Sequence, residues 1–242
     1  MAIEFVLLVL GAYLVGSVPA AYLAVKLSRG IDIRQYGSGN VGVSNLFGLT
    51  SKRIAIPVII FDLGKGMGMV GAAQWLGMDI TQQVAAGLAT IIGHNWPVFL
   101  RFNGGRGLLT TLGIALMLPL INNLVPWGII IFLAIAVAGL LIIHSIPVGV
   151  GAGIAALPLV SWGFGEPSPL ALGYLAMFLL MVIRRLVAPQ TAGAPTNRKQ
   201  LLLNRLLFDR DIRDREAWIH RVPPEVSSTE QPLGQQERQG KG

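Results

Sequence analysis

Three polar clusters interrupt an otherwise apolar chain, and each holds residue types suited to binding an anion. The first is GSGNVGVSN, Gly37–Asn45, preceded by IDIRQY. Glycines interleaved with Ser38, Asn40 and Asn45 let the backbone turn tightly and aim N–H groups at a negative charge. Taken alone, a short cluster of this composition is more often an ordinary solvated loop. The second is GHNWPVFLRFNGGRG, Gly93–Gly107. There Gly104, Gly105 and Gly107 flank Arg106 and lead straight into an apolar run. A glycine loop at a helix start presents unpaired N–H groups and the positive end of the helix dipole, and Arg106 adds a two-pronged donor matched to phosphate. The spacing is not that of a nucleotide P-loop. The alternative is a packing bend with an interfacial arginine. The third cluster is FDLGKGMGMV, in which Asp62 and Lys65 stand three residues apart inside an apolar run. At that spacing they can meet on one helix face. Charges at such depth mark a functional site unless they serve only each other.

Other chemistries are excluded or weakly supported. The chain has no cysteine, which removes thiolate nucleophiles, disulfides and Cys metal sites. Its 3 histidines, at 94, 144 and 220, are too far apart for metal-ligand spacing, so no metal is expected. His94, beside Asn95 and Pro97 at the broken end of a span, reads as an interfacial residue before it reads as a base. No His-x(4)-Asp pair occurs, which argues against the usual soluble type of glycerolipid acyltransferase. A nucleic-acid partner is not indicated: the net charge of +7 comes with no basic helix or aromatic-basic patch.

The elements that must position these clusters are membrane helices. Only 13% of the 242 residues are charged and 53% are hydrophobic, whereas soluble chains carry about 25% charged residues. Apolar runs fall at about Ile3–Val25, Ile54–Leu76, Thr81–Leu100, Leu108–Ile121, Val125–Ile143, Ile146–Val160 and Pro169–Val187. This predicts an all-α integral membrane protein of about seven transmembrane helices, the fourth and sixth short enough to tilt or re-enter. The first run is read as a retained span, not a cleaved leader. Basic residues alternate between connections. Lys26, Arg29, Arg34, Lys52 and Arg53 lie in the first, Arg101 and Arg106 in the third, and Arg184 and Arg185 open the tail, while the second, fourth and sixth have none. The positive-inside rule then puts the N-terminus outside and the C-terminus and every polar cluster on the cytoplasmic side of a multi-pass cell-membrane protein. Trp75, Trp127 and Trp162 fall at the expected outer ends. The chain divides into a transmembrane part, residues 1–188, and a charged tail, residues 189–242. In that tail about Arg198–Trp218 is expected to form an amphipathic helix on the membrane surface, ahead of a disordered end.

Taken together the motifs resemble the bacterial acyl-phosphate:glycerol-3-phosphate acyltransferases, the PlsY family. YLVGSVPAAYLAVKLSRGIDIRQYGSGNVGVSN (Tyr13–Asn45) is similar to that family's GS-[IV]-P-x(2)-YL entry and its GSGN-x-G-[AS]-[TS]-N loop. DLGKG (Asp62–Gly66) resembles its D-x(2)-KG, and Gly93–Gly107 its GH-x-[FW]-PVFLKFKGGKG. The match covers about residues 10–110 closely and the later spans by hydropathy alone. The resemblance implies transfer of a fatty acyl group from acyl phosphate to the 1-hydroxyl of glycerol-3-phosphate. The product would be lysophosphatidic acid, at the first committed step of bacterial phospholipid synthesis, with no cofactor. It implies Ser38 and Arg106 as catalytic residues. Gly37, Gly39, Asn40, Asn45, Lys65, Gly104, Gly105, Gly107 and Ser145 are implied as substrate-binding residues, with the acyl chain in a groove between spans.

The chain also departs from the pattern. Gly48 stands where the family has an arginine, Arg106 replaces a lysine, and IIHSIPVG keeps Ser145 but loses a neighbouring arginine. If Arg205–Leu206 aligns with the last motif, HR-x-N-I-x-RL-x(2)-G-x-E, then Asp211 replaces its glutamate, and Lys199 and Leu202 replace its histidine and asparagine. Two readings follow: Lys52, Arg53, His144 or Lys199 rebuild the anion site, or the chain is a divergent non-catalytic paralogue. A binder or transporter of a phosphorylated metabolite is the alternative outside enzymology, although no internal repeat supports it. The sequence leaves the oligomeric state open.

Overall fold

The computed structural model describes residues 2–190, 194–214 and 218, and among these the fold is helical with no strand. Each apolar run is in helix. The first is split into α1 (Ala2–Ser17) and α2 (Ala20–Arg29), and a short α3 (Val43–Leu49) follows the first polar loop. Then come α4 (Lys52–Trp75), α5 (Ile80–Asn95), α6 (Leu108–Ile121), α7 (Trp127–Ile142), α8 (Ile146–Gly163), α9 (Ser168–Leu186) and α10 (Arg198–Phe208). Pro19 makes the split, having no N–H to give to the helix. The chain turns there on an Ala20 N–H to Val18 carbonyl bond of 3.1 Å. Four stretches are long and apolar enough to cross a membrane: Ala2–Arg29, Lys52–Trp75, Ile146–Gly163 and Ser168–Leu186. The expected shortness of the sixth run is therefore corrected, because its helix continues to Gly163. Helix α6 has 14 residues. At the ordinary helical rise such a helix is shorter than a bilayer core is thick. The outward faces are large and apolar, with Leu141 68% exposed and Leu159 75% exposed. An apolar surface of this extent suits a lipid environment.

Small residues bring the helices together. α1 packs along α5, α4 along α6 and α7 along α8. A Cβ on Gly93 of α5 would collide with the Tyr13 carbonyl of α1, and one on Gly113 of α6 with the Leu63 carbonyl of α4. The backbones meet there without intervening side chains, as dispersion-driven association in lipid favours. Gly93→Ala is expected to lower thermal stability in detergent by about 1–3 kcal/mol through overpacking. Gly64→Ala, whose Cβ meets nothing, should be near neutral. The central core gathers Ile114, Leu118, Ile154, Leu157, Leu170 and Met177 around Tyr174, whose hydroxyl donates to the Ala115 carbonyl at 3.2 Å.

The tail helix differs from expectation. α10 stops at Phe208, because Asp209 adopts a left-handed conformation (φ 58°). Such a residue ends a helix by turning its last carbonyls onto the following N–H groups. The helix packs on α8 and α9 with Leu201, Asn204 and Arg205 buried. Arg205 Nη1 donates to the Leu186 carbonyl at 2.7 Å, and Arg185 Nη1 to the Leu206 carbonyl at 2.9 Å. It is thus docked against protein where a surface helix was expected. The end expected to be disordered lies outside the described residues.

Candidate functional site

The first polar loop is built around Asn45. Gly37 and Gly39 both have positive φ (53° and 70°). Glycine adopts that conformation without strain, and the turn the two make surrounds the Asn45 side chain. Asn45 is 5% exposed. Its Oδ1 accepts from the Ser38 N–H at 3.1 Å, and its Nδ2 donates toward the carbonyls of Ile33, Tyr36 and Asn40 at 3.0, 3.1 and 3.1 Å. The resemblance implied Asn45 as a substrate-binding residue; in the structure its amide holds the loop, and the half-buried Ser38 and Asn40 line the pocket beside it. Asn45→Asp turns the donor into a carboxylate facing three carbonyls. It is expected to lose about 2–3 kcal/mol of stability and most activity, read by melting in detergent and by turnover. Ahead of the loop Asp32 and Arg34 form a two-pronged ion pair at 2.6 Å. The Arg34 guanidinium holds the Asp32 carboxyl below its ordinary range. A depressed folded-state pKa contributes stability above the ordinary carboxylate range and loses it as pH falls through the folded value. The melting difference between Asp32→Asn and the parent should therefore be present at pH 7 and vanish in acid.

The second loop rests on the first. The Gly104 N–H donates to the Asn95 carbonyl at 3.2 Å and the Gly105 N–H to the His94 carbonyl at 3.1 Å. A Cβ on Gly105 would collide with the His94 ring and lie 2.6 Å from the Val41 carbonyl, so only glycine lets the loops touch. Gly107 (φ 72°) is the N-cap of α6 and gives it no side-chain cap. From α9, Arg184 donates through Nε to the Gly105 carbonyl (3.0 Å) and through Nη2 to the Gly104 carbonyl (2.8 Å) and Asn103 Oδ1 (3.1 Å). From the tail, Asp209 bridges Arg106 at 2.6 Å and Arg185 at 3.1 Å, and Asp211 pairs with Arg205 at 2.7 Å.

Between the loops lies a polar pocket of about 100 Å³. Its walls are Arg34, Ser38, Gly39 and Asn40 from the first loop, and Asn103, Gly104 and Arg106 from the second. Arg184, Ala188, Pro189, Gln190, Asp211 and Trp218 complete it from α9 and the tail. Behind Gly104 and Gly105 lies a cavity of about 10 Å³, lined also by Asp62 and His94. It has room for a water and no more. A third space, about 310 Å³ and apolar, opens at the α1–α2 break between Val18, Pro19, Tyr22, Leu23, Phe99 and Leu100.

Of the residues expected at the site, Ser38, Gly39, Asn40, Gly104 and Arg106 do meet at this pocket, whereas Gly37, Asn45, Gly105 and Gly107 shape its loops from behind. Lys65 and Ser145 do not line it. Lys65 is 5% exposed and reaches Asp62 Oδ1 at 2.8 Å, His94 Nδ1 at 2.8 Å and the Gly16 carbonyl at 3.2 Å, which ties α4 to α1 and α5. This is an ion pair turned inward, and the structure does not bring Lys65 to the pocket where it was expected. Ser145 is the N-cap of α8. Lys52, Arg53, His144 and Lys199, offered as replacements for missing family residues, are all exposed and away from the pocket.

Besides Arg106, the cations that line the pocket are Arg34 and Arg184. Arg184 counted in the sequence only as a positive charge marking orientation. The signal available was its place at the end of an apolar span, where a charge turned inward needs partners. Asp209 had no local signal, since its contact with Arg106 joins positions 103 residues apart.

Comparisons with known proteins place the chain in a family. The family model described as glycerol-3-phosphate acyltransferase matches residues 6–188. Glycerol-3-phosphate acyltransferase 5 of Dehalococcoides mccartyi is 45% identical over 94% of this chain and 98% of its own. The glycerol-3-phosphate acyltransferase of Prochlorococcus marinus is 38% identical over 71% of this chain and 83% of its own. Among solved structures, the glycerol 3-phosphate form of PlsY, an integral membrane glycerol 3-phosphate acyltransferase, superposes with a TM-score of 0.69 at 26% identity. The superposition covers 86% of this chain and 94% of that one. With the two glycine loops meeting at one arginine-lined pocket, and with the family model spanning most of the sequence, the chain belongs to the glycerol-3-phosphate acyltransferase family.

Proposed function

We propose that this protein transfers a fatty acyl group from acyl phosphate to the 1-hydroxyl of glycerol-3-phosphate, releasing phosphate and lysophosphatidic acid for phospholipid synthesis. The observation that carries this reading is the convergence of both glycine loops and three arginines on one polar pocket, with an apolar space at the α1–α2 break. Acyl phosphate is a mixed anhydride with a good leaving group, so attack by the acceptor hydroxyl needs no acyl-enzyme. The new ester C–O bond forms as the anhydride C–O bond breaks, and the hydroxyl proton passes to the departing phosphate. The residues then act by placing two phosphates and stabilising the charge that develops on the carbonyl oxygen of the transferring acyl group. Arg106 and the backbone of Gly104–Gly107 hold phosphate, Ser38 and Asn40 orient it, and the acyl chain lies along Pro19, Leu23 and Phe99.

The same reading takes the bundle as seven spans with the N-terminus outside and both loops cytoplasmic, supported by the alternation of basic connections and by the meeting of the loops at one end. Residues 1–188 carry the transferase, and the part of the tail around Asp209–Asp211 caps it. Because the chain lacks cysteine, a single Ser51→Cys reports sidedness directly: labelling only from the cytoplasmic side supports the orientation, and labelling from outside overturns it. The test of function is purified protein in detergent given glycerol-3-phosphate with palmitoyl phosphate, palmitoyl-CoA or palmitoyl acyl carrier protein. Lysophosphatidic acid from the first donor alone is the expected result. Product only from the others would replace the donor. Uptake of glycerol-3-phosphate into proteoliposomes without product would replace the reaction by transport.

A further inference from the structure

We propose that Arg184 is a substrate-binding residue of this site, its guanidinium a seat for a phosphate dianion; the proposal deepens the transferase reading and rests on it. Charge balance is the first ground. Of the arginines around the pocket, Arg34 pairs with Asp32, Arg106 and Arg185 share Asp209, and Arg205 pairs with Asp211. Arg184 is 5% exposed and, among the described residues, has no carboxylate within ion-pair distance. A buried cation balanced only by neutral carbonyls is poorly compensated, and an anion delivered by a ligand completes it.

Donor geometry points the same way. A guanidinium has five N–H groups in a fixed fork. Nε of Arg184 is engaged by Gly105, and both hydrogens of Nη2 are matched by Gly104 and Asn103. These bonds fix the plane of the group, and Nη1 keeps its two N–H donors without a partner among the described residues. The side chain lines the polar pocket together with Ser38, Asn40 and Arg106. A phosphate there meets two guanidinium groups whose positions are set in advance, Arg184 by the loop carbonyls and Arg106 by Asp209. Such charge-assisted, preorganised contacts are where phosphate affinity and selectivity arise. Both substrates of the proposed reaction carry phosphate, and the shared chemistry assigned to Arg184 is that group.

The experiment compares the full-length protein with Arg184→Gln and Arg184→Lys in detergent. Two quantities are measured: KM for each substrate, and the rise in melting temperature caused by inorganic phosphate. Loss of a charged donor pair is expected to raise one KM about 30-fold in Arg184→Gln and to abolish the phosphate-induced rise. The substrate whose KM moves identifies whose phosphate sits there. Arg184→Lys keeps the charge without the fork and should show a smaller KM increase with part of the thermal response retained. If Arg184→Gln leaves both KM values and the phosphate response within about threefold of the parent, the proposal is overturned. It is equally overturned if kcat falls with both KM values and the phosphate response unchanged, because a purely loop-holding role gives that result. Should Arg184→Gln not fold, the Lys variant decides by its phosphate response: unchanged overturns, reduced supports. Failure of the transferase reading looks different, since the parent would then make no lysophosphatidic acid while the phosphate response still reports on Arg184.

Discussion

Arg106→Ala is expected to reduce kcat/KM for acyl transfer by at least about 100-fold while leaving the helical bundle folded. The size follows from the role proposed for the residue: a guanidinium stabilising charge on a transferring group contributes about 3–4 kcal/mol when it lies in a partly dry site. Folding should tolerate the change because Arg106 is on a loop and its ion-pair partner, Asp209, keeps Arg185 at 3.1 Å. Arg106→Lys is the informative companion. It retains the charge found at this position in the family motif but reaches differently and cannot form a fork, so it should recover a substantial part of the rate. The measurement is initial rate against each substrate, with circular dichroism and melting as the fold control. A rate for Arg106→Ala within about threefold of the parent would remove this residue from the site.

The second large effect lies away from the pocket. Lys65→Met is expected to destabilise the protein by about 3–5 kcal/mol, because it leaves the Asp62 carboxylate buried with its nearest cation gone. Asp62 is 2% exposed and faces His94 Nδ1 at 3.6 Å, a contact that helps only if the imidazole carries a proton. The double variant Asp62→Leu/Lys65→Met removes both charges, and an apolar pair of similar volume is often as stable as a buried ion pair. It should regain most of the loss, giving a strong coupling in a double-mutant cycle. The rate per folded molecule should change little, since neither side chain lines the polar pocket. A double variant as unstable as Lys65→Met would show that the cluster acts on the fold through something other than charge compensation.

These two cases show what the sequence could reveal. Apolar runs are legible because lipid punishes unpaired polar groups, so each helix announces itself by composition. The two glycine loops are legible for a related reason, as breaks rich in Gly, Ser and Asn beside such runs. The direction in which a side chain faces is not legible. Lys65 and Arg184 are both basic residues within or at the end of apolar stretches, and the sequence reading gave the first to the substrate and used the second only as a charge marking orientation. In the fold, α4 turns Lys65 toward Asp62 and α9 turns Arg184 toward the Gly104–Gly105 carbonyls. Asn45 looked like a ligand because asparagine suits an anion site; only the closed turn reveals four backbone partners around one amide. The loop-to-tail link through Asp209 depends on how α9 delivers the tail across the pocket, which no local pattern encodes.

The break at Pro19 has a kinetic consequence. The apolar space beside it lies between Leu23, 43% exposed, and Phe99, 60% exposed. On the proposed reading the donor's chain enters there sideways from the bilayer, so its effective concentration is its mole fraction in the membrane and not its amount per litre. The water-soluble acceptor obeys ordinary bulk kinetics. Adding inert phospholipid at constant total donor should therefore slow the reaction by surface dilution, while adding buffer at a constant donor-to-lipid ratio should leave the donor half of the rate law untouched.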